Sequence, residues 1–220
     1  FNGDWGIVLE ATKLDVAIAM CGRSEYKYTF IGKPCHASSP SRGINAIELA
    51  SNATNRIIDY TKQISKLQHS FMKPPTCAVT MIEGGVKANI IPETCDIVVD
   101  RRTMPTENPT QVGKDLEELL TDLNHTTEII MEVGPAEIPF DSQISQVVWK
   151  NTNKFNGNKP IKWGTPYGSD VRNFNDVNIP AVTFGPGDIA QAHTFDEFID
   201  IKQMTTASKI LINTIVDLLQ

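Results

Sequence analysis

The sequence predicts an α/β protein in which a ferredoxin-like βαββαβ domain (residues 23–134) is inserted into a second α/β domain made of residues 1–22 and 135–220. Three observations predict it. Between residues 25 and 133 the apolar spacing runs strand, helix, strand, strand, helix, strand. The flanking segments carry short, continuous apolar runs of the kind that buried strands show. A long amphipathic helix closes the chain from Ile201.

Element by element, Ile7–Leu9 reads as a buried strand that delivers Glu10 at its carboxyl end, and Asp15–Met20 as a second. The opening Phe1-Asn2-Gly3-Asp4-Trp5 runs straight into the first strand, as in a chain that begins inside a domain. Tyr26, Tyr28 and Phe30 alternate with polar residues, the mark of a half-buried strand. A loop over Cys35–Gly43 follows, then a helix from Ile44 through Ile57 to Ile64. Thr76–Ile82 reads as a strand with a turn at Glu83-Gly84-Gly85, and Ala88–Arg102 as another strand interrupted by Pro92. Val112, Leu116, Leu119, Leu120 and Leu123 share a helical face, and Thr126–Val133 closes the insert.

Beyond the link Gly134–Asp141, a helix over Ser142–Phe155 precedes the loop Gly164–Asp170 and a short helix, Asp170–Phe174. Ile179–Phe184 reads as a strand, broken by Gly185-Pro186-Gly187, which lets the backbone approach a ligand closely. His193 then sits on a loop, with carboxylates after it that could orient its ring. The final helix carries the stripe Ile201, Met204, Ser208, Leu211, Ile215, Leu218.

The 220 residues, 40% of them hydrophobic, suffice for a sizeable core. A net charge of -6 argues against nucleic acid or an anionic membrane as partner. No apolar run approaches the ~20 residues that span a bilayer. Four widely spaced cysteines without a C-x-x-C pair fit a reducing, cytoplasmic setting.

Four blocks together resemble the M20 family of co-catalytic zinc amidohydrolases and peptidases, which includes acetylornithine deacetylase, succinyl-diaminopimelate desuccinylase, aminoacylase and glutamate carboxypeptidase. They are Gly6–Thr12; Gly32-Lys33-Pro34-Cys35-His36-Ala37-Ser38 with Pro40 and Gly43-Ile44-Asn45-Ala46; Gly84-Gly85 with Asn89-Ile90-Ile91-Pro92 and Asp100-Arg101-Arg102; and Gly168-Ser169-Asp170 with Phe184–Gly187 and His193–Glu197. The resemblance implies part of a zinc-peptidase-like catalytic domain with an inserted dimerisation and lid domain. It implies two zinc ions per complete site, replaceable by cobalt, with Glu10 a ligand of one and His193 of the other. Ala11 stands where the family more often has proline. An upstream His-x-Asp, a bridging Asp and a Glu-Glu pair are absent, so the chain resembles the carboxyl-terminal part of such an enzyme.

By the same resemblance, His36 stabilises the oxyanion, reaching into the partner's site in dimeric relatives, while Asn89 and Arg102 bind substrate and Arg172 is a further carboxylate clamp. Read from the residues alone, each has a plainer role: strand-end carboxylate, loop histidine, turn residue, surface arginine. Ser169 bonds substrate or, more simply, caps the helix at Asp170. His69 and His125 match no motif and are expected on the surface. A Ser169–His193–Asp196 hydrolase lacks the G-x-S-x-G elbow. The expected activity is amide hydrolysis of N-acyl amino acids by a homodimer paired through the insert. The rivals are a carboxypeptidase or dipeptidase of the same family, and a non-catalytic dimerisation module.

Overall fold

A computed structural model describes residues 3–157 and 160–220. In chain order its elements are β1 (Gly6–Val8), β2 (Val16–Met20), β3 (Gly22–Ile31), β4 (Cys35–His36), α1 (Ala46–Ile64), β5 (Thr76–Gly84), β6 (Ile90–Ile91), β7 (Thr94–Thr103) and α2 (Pro109–Leu120). There follow β8 (His125–Val133), β9 (Ala136–Glu137), α3 (Gln143–Phe155), β10 (Lys162–Thr165), α4 (Val171–Asn175), β11 (Ala181–Thr183) and α5 (Ile201–Leu218). Contacts divide the chain into two compact units, one holding Gly22–His69 and Lys73–Gly134, the other everything up to Cys21, Ser70–Met72, and Pro135 onward. Ser70–Met72, which the sequence reading left inside the insert, packs with the other unit. There the Gly164 N–H donates to the Phe71 carbonyl at 2.8 Å.

The insert is an antiparallel four-stranded sheet in the order β5-β7-β3-β8, with α1 and α2 packed against it. Strand alternation sends Ser24, Tyr26, Tyr28 and Phe30 inward from β3, and Cys95, Ile97, Val99 and Arg101 inward from β7. α1 buries Ala46, Ala50, Ala53, Ile57 and Ile64 on them, and α2 buries Val112, Leu116 and Leu120. Each large apolar side chain fully buried there contributes about 1.5–3 kcal/mol. Both helices are capped by asparagine: Asn45 accepts from the Ile47 N–H at 3.0 Å and Asn108 from that of Gln111 at 3.1 Å. Pro92 separates β6 from β7 entirely. Ile90–Ile91 leaves the main sheet and forms a two-stranded ribbon with β4, so His36 lies on a strand end rather than in an open loop.

His125 is not a surface residue. Its side chain is 8% exposed, its ring packs edge-on against Tyr28 at 5.6 Å, and Nε2 lies 3.3 Å from Glu117. Placing it at the start of β8 turns the imidazole under α2.

In the other unit the strand order is β1-β11-β2-β10, with β9 added to β2 out of the expected link. β1 runs parallel to β11, and β10 parallel to β2. Gly164 and Thr165, expected in a loop, end β10. A core of Leu14, Val16, Ile18, Ile144, Val148, Val182, Phe184 and Ile210 involves α3 and α5.

The stripe expected on α5 is buried only in part: Leu211 and Leu218 pack against the core. Ile201, Met204 and Ile215 are exposed, whereas Ala207, Ile210 and Thr214 are buried. Small and polar residues allow close approach to α3, where Asn151 donates to Asp217 at 3.1 Å and meets Thr214 at 3.5 Å. Hydrophobic periodicity alone favours the larger side chains and so points about one residue away. Among the described residues no helix is long and apolar enough to cross a membrane.

Candidate functional site

The residues singled out in the sequence fall into two groups, one on each unit. In the sheet-and-helix unit, β1 and β11 end side by side, with the Phe184 N–H donating to the Val8 carbonyl at 3.0 Å. Gly185 then packs on the backbone of Glu10 so tightly that a Cβ there would lie 2.5 Å from the Glu10 carbonyl oxygen. The close approach expected of Gly-Pro-Gly toward a ligand is thus, at Gly185, an approach to the strand end that bears the candidate carboxylate.

Thr12, buried, stitches the junction. Its Oγ1 donates to the Asp15 carbonyl at 2.7 Å and accepts the Gly185 N–H at 3.0 Å. Lys13 and Leu14 both take positive φ, 56° and 67°, which aims their N–H groups at the Gly187 and Gly185 carbonyls. Lys13 also pairs with Asp188 at 2.6 Å and holds that carboxyl below its ordinary range.

His193 follows five positions after Asp188, with φ 63°, a left-handed conformation rare outside glycine. Its own N–H donates to Glu197 Oε2 at 3.2 Å. The carboxylate expected to orient the ring is here engaged with the main chain.

Tyr167, which no motif flagged, donates from its hydroxyl to the Ala11 carbonyl at 3.2 Å. Burial, then the charge of Glu10, pushes its pKa up to about 12. It therefore stays a neutral donor beside the candidate ligand. Its only sequence signal was an aromatic within a Gly/Pro loop. Ser169 does not cap α4, whose N-cap residue is Asp170. Its Oγ pairs instead with Thr183 Oγ1 at 3.1 Å, because the loop from β10 lies over the end of β11. Arg172 lies 3.6 Å from Asp176 along α4.

On the insert, His36 pairs with Ile90 in the β4–β6 ribbon, and the next N–H, of Ala37, donates to the Asn89 carbonyl at 2.9 Å. His36 and Asn89 are thereby neighbours although 53 positions (89 − 36) separate them. Behind the imidazole, Ser38 places its N–H 3.2 Å and its Oγ 2.7 Å from Nδ1. Arg102 faces away from the helices and its Nε donates to Asp100 at 2.8 Å, as does that of Arg23. Burial pushes the Asp100 carboxyl up, but the hydrogen bonds from Arg102 and Arg23 outweigh it and the net shift is downward. Arg102 is thus held by a carboxylate of its own strand.

Carboxylate and imidazole are donors that zinc accepts. Among the described residues, however, no group of three or more His, Cys, Asp or Glu side chains is gathered as a metal site requires. Glu10 and His193 do not complete one.

A family described as the peptidase dimerisation domain matches residues 18–128. Acetylornithine deacetylase of Myxococcus xanthus is 27% identical over 211 residues, 93% of this chain and 55% of that protein. The enzyme of the same name from Salmonella arizonae is 28% identical over 215 residues, 90% and 53% respectively. The chain spans about half the length of the curated relatives it matches. Among solved structures, aminopeptidase PepT from Bacillus cereus superposes with a TM-score of 0.80 at 19% identity, covering 100% of this chain and 58% of that one. A Staphylococcus aureus tripeptidase follows with 0.79 at 18%, covering 98% and 57%.

Proposed function

The chain belongs to the M20 peptidase family, whose dimerisation domain it carries, and from that premise we propose that the protein acts as a metal-dependent hydrolase of N-acyl amino acids. The observation that carries the proposal is the pairing of two distant motif residues on one ribbon, the Ala37 N–H on the Asn89 carbonyl at 2.9 Å. It brings the main chains of His36 and Asn89 side by side, which supports reading both as parts of one site for an acyl-amide group. Similarity to acetylornithine deacetylases over nine-tenths of the chain supports the deacylase reading. Peptide hydrolysis is the second reading, favoured by the likeness to the aminopeptidase and tripeptidase folds.

Glu10 and His193 would each supply one ligand to a pair of zinc or cobalt ions, which polarise the scissile carbonyl when bound. His36 would donate to the oxygen that gains charge during attack, and Asn89 would fix the substrate. Arg102 would bind a substrate carboxylate, Arg172 is a further candidate for that role, and Ser169 would line the same end of the sheet as Glu10. The protein would work as a homodimer, supported by the family description and by the exposed apolar residues of the two sheet edges, Met81 and Ile82 on one and Ile129 and Ile130 on the other. A monomeric sedimentation profile at micromolar concentration would remove the dimer. The cysteine usage supports a cytoplasmic setting.

The complete protein should hydrolyse N-acetyl or N-succinyl amino acids in preference to dipeptides and tripeptides. His36→Ala should lower kcat by roughly 100-fold, the scale of one lost oxyanion donor. An unchanged kcat in that variant refutes the role of His36, and preference for peptides across the panel turns the reading to peptidase.

A further inference from the structure

We infer that Ser38 is a positioning residue that fixes the tautomer of His36, placing the ring hydrogen on Nε2. The inference rests on the reading of His36 as the oxyanion donor and extends it to Ser38, two positions on, to which that reading gives no role. The Ser38 main-chain N–H points at Nδ1 from 3.2 Å. A ring nitrogen that receives an N–H offers its lone pair and carries no hydrogen itself. The Ser38 hydroxyl, 2.7 Å from the same nitrogen, then donates as well. In the neutral imidazole the single N–H is left on Nε2, the nitrogen directed away from the turn.

The main chain makes this arrangement rigid on both sides of the ring. His36 is registered to Ile90, and the N–H groups of Ala37 and Ser39 donate to the Asn89 and His36 carbonyls, each at 2.9 Å. In the neutral ring the outcome is an Nε2–H donor with a fixed direction, suited to an oxygen that becomes negative only during the reaction. A plain turn-closing serine would need neither the contact with Nδ1 nor two donors on it.

The test combines imidazole 15N spectra of the chain with kinetics of the complete protein. The wild-type spectrum should show a pyridine-type Nδ1 and a pyrrole-type Nε2 for His36. A pyrrole-type Nδ1 overturns the inference. Ser38→Ala keeps the main-chain donor but loses the hydroxyl, so the Nε2–H tautomer should remain the major form while the other becomes detectable, and kcat should fall about fivefold, the scale of one hydrogen bond, with KM unchanged. Ser38→Thr, which keeps the hydroxyl, should restore both readouts. Lowered thermal stability in Ser38→Ala with the tautomer and kcat unmoved would mean that the serine only closes the turn, and the inference fails. His36→Ala with unchanged kcat defeats the oxyanion reading beneath it whatever the spectrum shows, which separates the two failures.

Discussion

Removing Glu107 should destabilise the insert far more than removing its partner, Arg101. The guanidinium of Arg101 is 0% exposed and ion-paired to Glu107 Oε1, and it stacks over Tyr60 with its carbon 5.8 Å from the ring centre. Glu107, 14% exposed, also accepts the Met104 N–H at 2.8 Å through its other oxygen. Glu107→Ala leaves a buried cation without a counter-charge and an N–H without an acceptor. Breaking a buried pair in this way costs about 3–5 kcal/mol. Arg101→Met removes the charge and keeps an apolar stem of similar reach, and such replacements are often neutral or better. The strand also leaves Arg101 Nε without a partner among the described residues, a desolvation cost that Met avoids. All three tryptophans, Trp5, Trp149 and Trp163, lie in the other unit, so their fluorescence does not report this event. Urea titration followed by hydrogen exchange of the β7 amides does. A loss under ~1 kcal/mol in Glu107→Ala, or a larger loss in Arg101→Met, would refute the reasoning.

Two further outcomes follow from the same geometry. Gly185→Ala should cost about 1–3 kcal/mol, because its Cβ would sit 2.5 Å from the Glu10 carbonyl oxygen and the junction must spread; a thermal melt read by tryptophan fluorescence checks it, and an unshifted midpoint contradicts the packing. Asp100, whose folded pKa is depressed, contributes stability that is complete above its unfolded pKa of about 4 and is lost as pH falls through the folded value. Asp100→Asn should therefore flatten the stability of the insert below about pH 4 relative to wild type, and identical acid limbs by urea titration would count against the Arg23–Asp100–Arg102 pairing.

The order of elements in the insert was legible in the sequence because periods of two and 3.6 are local properties of strands and helices. Local pattern placed Leu211 and Leu218 of α5 on the core but missed Ala207, Ile210 and Thr214, because full burial follows the line along which α5 approaches α3. Nor could it say that Ile90–Ile91 pairs with Cys35–His36, since ribbon pairing joins residues far apart in the chain.

The Asp100-Arg101-Arg102 run shows the division most plainly. The residue types were read from the sequence, and strand alternation requires the two arginines to point to opposite faces. Which face is core was decided by α1 and α2, and so it is Arg101 that is buried with Glu107 while Arg102 stays with Asp100. The sequence, through its resemblance to the M20 family, nominated the candidate ligands Glu10 and His193 and the candidate donor His36. Only the tertiary structure decided what each one leans on: Gly185 against the Glu10 backbone, Glu197 on the His193 N–H, Ser38 behind the His36 ring. Chemistry is carried by side-chain identity, whereas the packing of Gly185 on the Glu10 backbone joins residues 175 positions apart (185 − 10) and exists only once β1 and β11 have paired.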